Sequence, residues 1–124
     1  MGNRQLNNQD VVNINNADNK ENVTSVAEQD VRTIIASNQV VIFADLTCGY
    51  CQSAQGILRQ IGIKFTTIYA TPIQRQVLYE ISGMKTVPNI WISGRFIGGC
   101  SDGPESWMGL TKISASGKIK ELLK

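Results

Sequence analysis

The sequence contains no histidine and only three cysteines among its 124 residues. A structural zinc site normally takes four nitrogen or sulfur ligands from one chain, so this inventory argues against a zinc finger. The odd cysteine count also argues against a secreted scaffold held together by disulfides and favours a reducing compartment. Two of the three thiols, Cys48 and Cys51, are nevertheless separated by only two residues.

Long apolar runs and an excess of one charge are absent as well. No apolar stretch approaches the roughly 18 residues of a membrane-spanning helix, so we expect no membrane association. Twelve basic and ten acidic residues are scattered along the chain with a net charge of +2, which gives a nucleic acid no basic stripe to contact. The N-terminus lacks the apolar core of a signal peptide and the Arg/Ser-rich look of a transit peptide, so we expect a cytoplasmic protein.

Residues 1–22 are rich in asparagine and carry only isolated apolar residues. Such a segment buries too little apolar surface to offset the entropy of ordering it, and we expect a disordered tail. A docking or targeting arm is the alternative. Residues 23–124 are then one domain, a size that suits a single hydrophobic core.

The first half of this domain predicts a helix, a strand and a second helix. Ser25 has the chemistry to cap the first helix, with Glu28 returning the capping-box bond. The apolar run 40–44 is typical of a strand buried on both faces. Helical periodicity then begins at Cys51 and ends at Gly62, so the cysteine pair lies at a strand-to-helix turn.

The second half predicts a strand, a helix, a hairpin and a final helix. Their expected ranges are 65–69 for the strand, Thr71-Pro72 to Gly83 for the helix, 89–97 for the hairpin with its turn at Ser93-Gly94, and about 104–123 for the last helix, interrupted near Gly117. A strand-helix-strand unit followed by a helix and a hairpin makes an α/β fold with a mixed four-stranded sheet and helices on both faces.

The cysteine pair has the placement that thiol-disulfide exchange requires. The unpaired N–H groups and the dipole of a helix N-terminus stabilise a thiolate, and Cys48 occupies that position. Cys51, one turn later, is close enough to attack a mixed disulfide on Cys48 and release the partner thiol. The alternative is that both are small buried apolar residues, but that does not explain their position at the turn.

Taken together, the motifs resemble those of dithiol glutaredoxins, which have the thioredoxin-like fold. The resemblance covers about residues 25–124, in order and without large gaps. It is carried by four segments: Val40-Val41-Ile42-Phe43, Cys48-Gly49-Tyr50-Cys51, Thr86-Val87-Pro88-Asn89-Ile90 and Ile97-Gly98-Gly99-Cys100-Ser101-Asp102.

The resemblance implies a glutathione-dependent thiol-disulfide oxidoreductase in which Cys48 and Cys51 are catalytic. Protein-glutathione mixed disulfides and protein disulfides would be its substrates, with glutathione as the reductant. The residues it implies for glutathione binding are Tyr50, Arg75, Thr86, Val87, Pro88, Gly99, Ser101 and Asp102.

Within that set the resemblance also implies particular roles. Pro88 is expected to be cis and to present the Val87 backbone to an extended peptide, while Ser101 and Asp102 hold the γ-glutamyl end. The simpler alternatives are that Pro88 is an ordinary loop proline and that Asp102 only caps the last helix.

One departure from the family pattern concerns charge beside the reactive thiol. Asp45 stands where dithiol glutaredoxins usually carry lysine. A carboxylate there disfavours the Cys48 thiolate and repels glutathione, so we expect weakened activity. Arg75 is the candidate compensating cation. Alternatively, Asp45 forms an ion pair with Arg75 or with Lys85.

A second departure is Gly49, where proline is commoner. Family members with a small residue there can hold a [2Fe-2S] cluster between two subunits, through one cysteine from each chain and two glutathione thiols. The alternative functions are therefore a cluster-binding dimer, with Cys48 as the ligand, and a low-activity thiol-binding adaptor. Otherwise a monomer is expected. Cys100, the third thiol, is expected beside the groove as a passive small residue, with a regulatory glutathionylation site as the alternative, and is assigned no catalytic role.

Overall fold

The computed structural model describes the backbone of residues 17–124 and the side chains of residues 24–124. The helices of this part of the chain are α1 (Ala17–Ser37), α2 (Gly49–Gln60), α3 (Pro72–Ser82), α4 (Leu110–Ala115) and α5 (Lys118–Leu122). Its strands are β1 (Val40–Ala44), β2 (Thr66–Tyr69), β3 (Asn89–Ile92) and β4 (Arg95–Gly98). None of these helices combines the length and the apolar character needed to cross a membrane.

The strands form one mixed sheet in the order β2-β1-β3-β4. Strand β1 is parallel to β2 and antiparallel to β3, so that Val41 lies between Thr66 and Trp91. Strand β4 pairs antiparallel with β3. Because β1 and β2 are parallel, their carboxyl ends lie at the same edge of the sheet, and the residues that follow β1 begin the reactive loop.

Each face of the sheet packs against helices. The side chains of β1 point alternately to the two faces and so contribute to both hydrophobic cores. Val40, Ile42 and Ala44 belong to the cluster that includes buried residues of α2, α4 and α5. Val41 and Phe43 belong to the cluster on the other face, with buried residues of α1 and α3. All five residues are buried, which confirms the prediction of a doubly covered strand and of the α/β architecture.

Two local predictions are confirmed in detail. Thr71 caps α3 through a complete capping box with Gln74, and Gly83 ends that helix in the left-handed conformation at φ 81°. In the hairpin turn both Ser93 (φ 51°) and Gly94 (φ 79°) have positive φ. Positive φ at both central residues is the type I′ pattern, whose twist matches that of the flanking strands.

The predicted start of the first helix was wrong. Helix α1 already begins at Ala17, so Ser25 lies inside it and caps nothing, and residues 17–22 of the expected tail are helical. Extending an existing helix adds one hydrogen bond per residue without a new nucleation cost, so a capping residue does not oblige a helix to begin there. The rest of the expected disordered tail, residues 1–16, lies outside the described part of the chain.

The predicted start of the last helix, near residue 104, was also wrong. Helix α4 begins at Leu110, after Gly109, whose φ is 121°. The backbone N–H of Gly109 donates to the Ile97 carbonyl (2.8 Å) and that of Leu110 to the Gly99 carbonyl (2.9 Å). These bonds tie the segment to the end of β4 instead of to a preceding helical turn. The interruption at Gly117 (φ 80°) is confirmed, since it separates α4 from α5.

Candidate active site

Cys48 is the N-cap residue of α2, as the sequence predicts. Its extended backbone (φ −89°, ψ 116°) leaves the side chain at the helix N-terminus, where Sγ accepts a hydrogen bond from the Cys51 N–H at 3.1 Å. The half-buried thiol also lies 3.7 Å from the Val87 carbonyl oxygen, to which it can donate. A thiolate at this position is met by a backbone donor and by the positive end of the helix dipole.

Cys51 has the opposite environment. Its side chain is 1% exposed. Burial raises the pKa of the Cys51 thiol to about 12, helped by the hydrogen bond with Cys48 and by the negative charges of Cys48 and Asp45. At neutral pH Cys51 is therefore a protonated thiol, and Cys48 is the member of the pair placed to make the first attack.

A cleft of about 330 Å³ lies beside Cys48. It is lined by Tyr50, Thr86, Val87, Pro88, Gly99, Cys100, Ser101 and Asp102. The structure thus brings together all of the residues predicted to bind glutathione except Arg75. The Val87-Pro88 peptide bond is cis, as the resemblance implied.

The far end of the cleft is shaped by glycines that allow close backbone approach. The Gly99 N–H donates to the Asp102 carbonyl at 2.8 Å, which closes a tight turn around Ser101. A Cβ on Gly98, where φ is 101°, would lie 2.6 Å from the same carbonyl. Asp102 is not the cap of the last helix, because the N-cap residue of α4 is Gly109. Its exposed carboxylate is instead available to the cleft.

Arg75 forms an ion pair with Asp45 at a distance of 3.5 Å. Of the two partners that the sequence offered for Asp45, Arg75 and Lys85, the structure therefore shows Arg75. The two side chains are 38% and 47% exposed. Lys85, the other candidate partner of Asp45, has its ammonium 5.3 Å from the centroid of the Tyr79 ring.

Cys100 forms part of the cleft wall, in agreement with its expected position beside the groove. The thiol is 8% exposed, and burial raises its pKa, with the charges of Cys48 and Asp102 adding to the effect. Cys100 is therefore a thiol rather than a thiolate at neutral pH.

Comparison with known proteins agrees with this geometry. The glutaredoxin family model matches residues 40–97. Human glutaredoxin-1 is 36% identical over 107 residues, which are 80% of this chain and 94% of that protein. Mitochondrial glutaredoxin-2 of Pongo abelii is 31% identical over 94 residues, 71% of this chain but only 58% of the relative's length.

A solved structure gives the same result for the fold. The complex of buckwheat glutaredoxin with glutathione superposes with a TM-score of 0.73 at 29% identity, over 83% of this chain and 92% of that one. Cys48 caps a helix beside the cleft. Together with these similarities in sequence and fold, this arrangement establishes that the chain belongs to the glutaredoxin family.

Proposed function

We propose that the protein is a glutathione-dependent thiol-disulfide oxidoreductase that reduces protein-glutathione mixed disulfides and protein disulfides. The observation that carries the proposal is the direct connection between the reactive thiol and the cleft, since Cys48 Sγ lies 3.7 Å from the carbonyl of the cleft residue Val87. The glutathione complex of the buckwheat relative supports glutathione as the ligand.

In the proposed complex the glutathione backbone extends along Val87, which places its sulfur beside Cys48. The γ-glutamyl end lies at the turn of Ser101 and Asp102, where the Asp102 carboxylate pairs with the ammonium group. Tyr50, which is 69% exposed, forms a wall of the cleft.

The reaction is a sequence of thiol-disulfide exchanges. The Cys48 thiolate attacks the glutathione sulfur of a mixed disulfide, a new S–S bond forms, and the substrate's sulfur leaves as a thiolate that takes a proton from solvent. A second glutathione thiolate then attacks the glutathione sulfur bound to Cys48. This step releases oxidised glutathione and restores the Cys48 thiolate, so each turnover consumes one free glutathione, and the other half of the oxidised glutathione comes from the substrate.

For protein disulfides the first exchange leaves the substrate bound to Cys48, and Cys51 resolves it. Cys51 must lose its proton as it attacks the Cys48 sulfur, forming the Cys48-Cys51 disulfide and releasing the reduced substrate. Burial, the largest cause of the raised Cys51 pKa, keeps this thiol protonated, so it is a slow nucleophile until its proton is removed. We therefore propose that glutathione resolves small mixed disulfides faster than Cys51 does.

Coupled assays on two substrates, a small glutathione mixed disulfide and a protein disulfide, test this assignment. Cys48→Ser is expected to abolish both activities, and Cys51→Ser to keep the first and lose the second. Ser53→Ala, at an exposed position of α2, is the matched control and keeps both. Full activity of Cys48→Ser on either substrate would contradict the proposal.

We also propose that turnover is weakened by Asp45, which places a carboxylate beside the dithiol and engages the nearby cation Arg75. The Asp45→Lys variant is expected to raise kcat/KM for glutathione substrates and to shift the pH titration of thiolate ultraviolet absorbance toward lower pH. An unchanged titration would remove the electrostatic argument.

The second candidate function is a [2Fe-2S]-binding dimer, and the surroundings of Gly49 favour it. Apart from its chain neighbours and the backbone of α2, no heavy atom in the described part of the chain would lie within 4 Å of a Cβ at Gly49, which leaves the surface next to Cys48 open to a second subunit. Cys48 of each chain and two glutathione thiols would be the ligands. Anaerobic reconstitution followed by visible absorption and gel filtration tests this, because a colourless monomer would exclude the cluster. A protein that binds glutathione without turnover would instead be the thiol-binding adaptor.

A further inference from the structure

A serine hydroxyl at the end of α3 connects the two ends of the loop that lies beside the reactive thiol. The loop, residues 83–88, joins α3 to β3 and contains no helix or strand of its own. Ser82 Oγ accepts a hydrogen bond from the Met84 N–H at 3.2 Å and another from the side-chain amide of Asn89 at 3.1 Å. Its own proton goes to the Leu78 carbonyl, so both lone pairs and the proton of this hydroxyl are used.

Asn89 continues this connection into the core. Its side chain is 1% exposed, and Oδ1 accepts the Trp91 indole N–H at 2.7 Å. Because an indole nitrogen can only donate, the amide is fixed with its oxygen toward Trp91 and its NH₂ group toward Ser82. Trp91 is buried as well, with its ring centroid 5.2 Å from that of Phe96. The chain Ser82-Asn89-Trp91 is therefore anchored in the hydrophobic cluster between the sheet, α1 and α3.

The loop held in this way presents the carbonyl that faces Cys48. The Val87 carbonyl oxygen lies 3.7 Å from Cys48 Sγ, and Thr86 and Val87 both line the cleft. Lys85 and Thr86 are exposed and Val87 is half-buried, so core packing restrains this stretch little. Its position therefore depends on how firmly its two ends are held.

We propose that Ser82 and Asn89 are positioning residues for thiol-disulfide exchange, because their hydrogen bonds hold the Val87 backbone at the distance from Cys48 that the reaction needs. The inference rests on the proposed function, in which the substrate lies along Val87 when Cys48 attacks. Attack requires the thiolate in line with the S–S bond, and a misplacement of about 1 Å can cost up to about a hundredfold in rate. Neither side chain lines the cleft, so both act through the loop.

Ser82→Ala tests the proposal, with Ser114→Ala as the matched control. Both serines are half-buried and donate to the carbonyl four residues earlier in their own helix, but only Ser82 also bonds the loop. Ser82→Ala is expected to lower kcat/KM for a small glutathione mixed disulfide by about three- to tenfold, whereas Ser114→Ala keeps the wild-type value. Ser82→Thr restores the hydroxyl and is expected to recover most of the loss.

Two readouts separate positioning from a loss of stability, with every variant assayed at a temperature where its unfolding curve shows it to be folded. Alkylation of Cys48 by iodoacetamide at neutral pH does not use the Val87 edge and is expected to keep its wild-type rate in Ser82→Ala. Amide hydrogen exchange of residues 85–87 is expected to become faster in Ser82→Ala and to stay unchanged in Ser114→Ala. Alkylation that slows as much as turnover would overturn the proposal, as would unchanged exchange of the loop.

Trp91→Phe tests whether Asn89 transmits the effect, because it removes the indole N–H and keeps an aromatic ring in the core. In the wild-type background it is expected to lower kcat/KM by less than Ser82→Ala does. In the Ser82→Ala background it is expected to add little, since the same connection is already broken. An equal loss in the two backgrounds would overturn the role of Asn89.

The proposed function has a separate outcome in the same assays. If wild type does not reduce the glutathione mixed disulfide, the proposed function and the inference both fail. If wild type reduces it and folded Ser82→Ala does so with an unchanged kcat/KM, only the inference fails.

Discussion

The pKa of Cys51 predicts a specific dependence of stability on pH. The thiol is neutral in the folded protein up to about pH 12, whereas an unfolded cysteine ionises near its ordinary pKa of 9.0. Between these values the folded state holds a proton that the unfolded state has released. Stability rises with pH only where the unfolded state binds more protons, so here the free energy of unfolding falls as pH rises.

The size of the effect follows from the shift. Three pH units at about 1.4 kcal/mol each give roughly 4 kcal/mol across the full window, of which about two thirds is lost by pH 11. Below pH 9 both states are protonated and the contribution is constant. Because a domain is stable by only about 5–15 kcal/mol, the loss is large enough to measure.

Urea unfolding of reduced wild type and Cys51→Ala, at a series of pH values from neutral to about 11, measures this contribution. Other groups that titrate in this range cancel in the difference between the two proteins, so wild type is expected to lose up to about 3 kcal/mol more than the variant. Cys48→Ser tests how much of this effect depends on the neighbouring thiol. It should retain much of the additional decrease in unfolding free energy with pH, since burial is the largest cause of the raised Cys51 pKa. Parallel pH profiles for wild type and Cys51→Ala would refute the reasoning.

Three other substitutions test the frame around the site by chemical unfolding. Asn89→Ala should cost about 1–3 kcal/mol because the buried amide oxygen accepts the Trp91 indole N–H at 2.7 Å, and a smaller loss would show that the N–H finds another partner. Gly98→Ala should cost about 2 kcal/mol or more, because the residue has positive φ and its Cβ would press on the Asp102 carbonyl. The same distortion should raise the KM for glutathione, and an unchanged KM would show that the turn adapts. Thr71→Ala should lose about 1 kcal/mol with the helix cap, whereas Thr71→Ser, which keeps the hydroxyl, should lose much less.

Local chemistry determined the elements whose signals involve only neighbours in the chain. The apolar run 40–44 predicted a buried strand, Thr71-Pro72 a capped helix start, and Ser93-Gly94 a tight turn, and all three are confirmed. The cysteine pair predicted a thiol at a helix N-terminus for the same reason, since a strand followed at once by helical periodicity leaves that position to Cys48.

The two errors at helix starts differ in cause, because α1 extends through local hydrogen bonds whereas the start of α4 depends on distant ones. Ser25 could cap a helix, and the segment from 104 has apolar residues at helical spacing, but neither signal says what the adjoining backbone will bond to. Around Gly109 the N–H groups bond to carbonyls at the end of β4, and those partners are distant in sequence. Competition between local and long-range hydrogen bonds is therefore decided only when the sheet has formed.

The motifs and their resemblance to a family were enough to name nearly all the residues of the cleft, but only the tertiary structure decided their electrostatics. Whether Asp45 would pair with Arg75 or with Lys85 depended on the relative placement of β1 and α3. The protonation of Cys51 depended on its burial in the hydrophobic core. Charge and burial act through space and not along the chain, which is why the sequence identified the reactive pair while only the fold decided that Cys51 stays protonated.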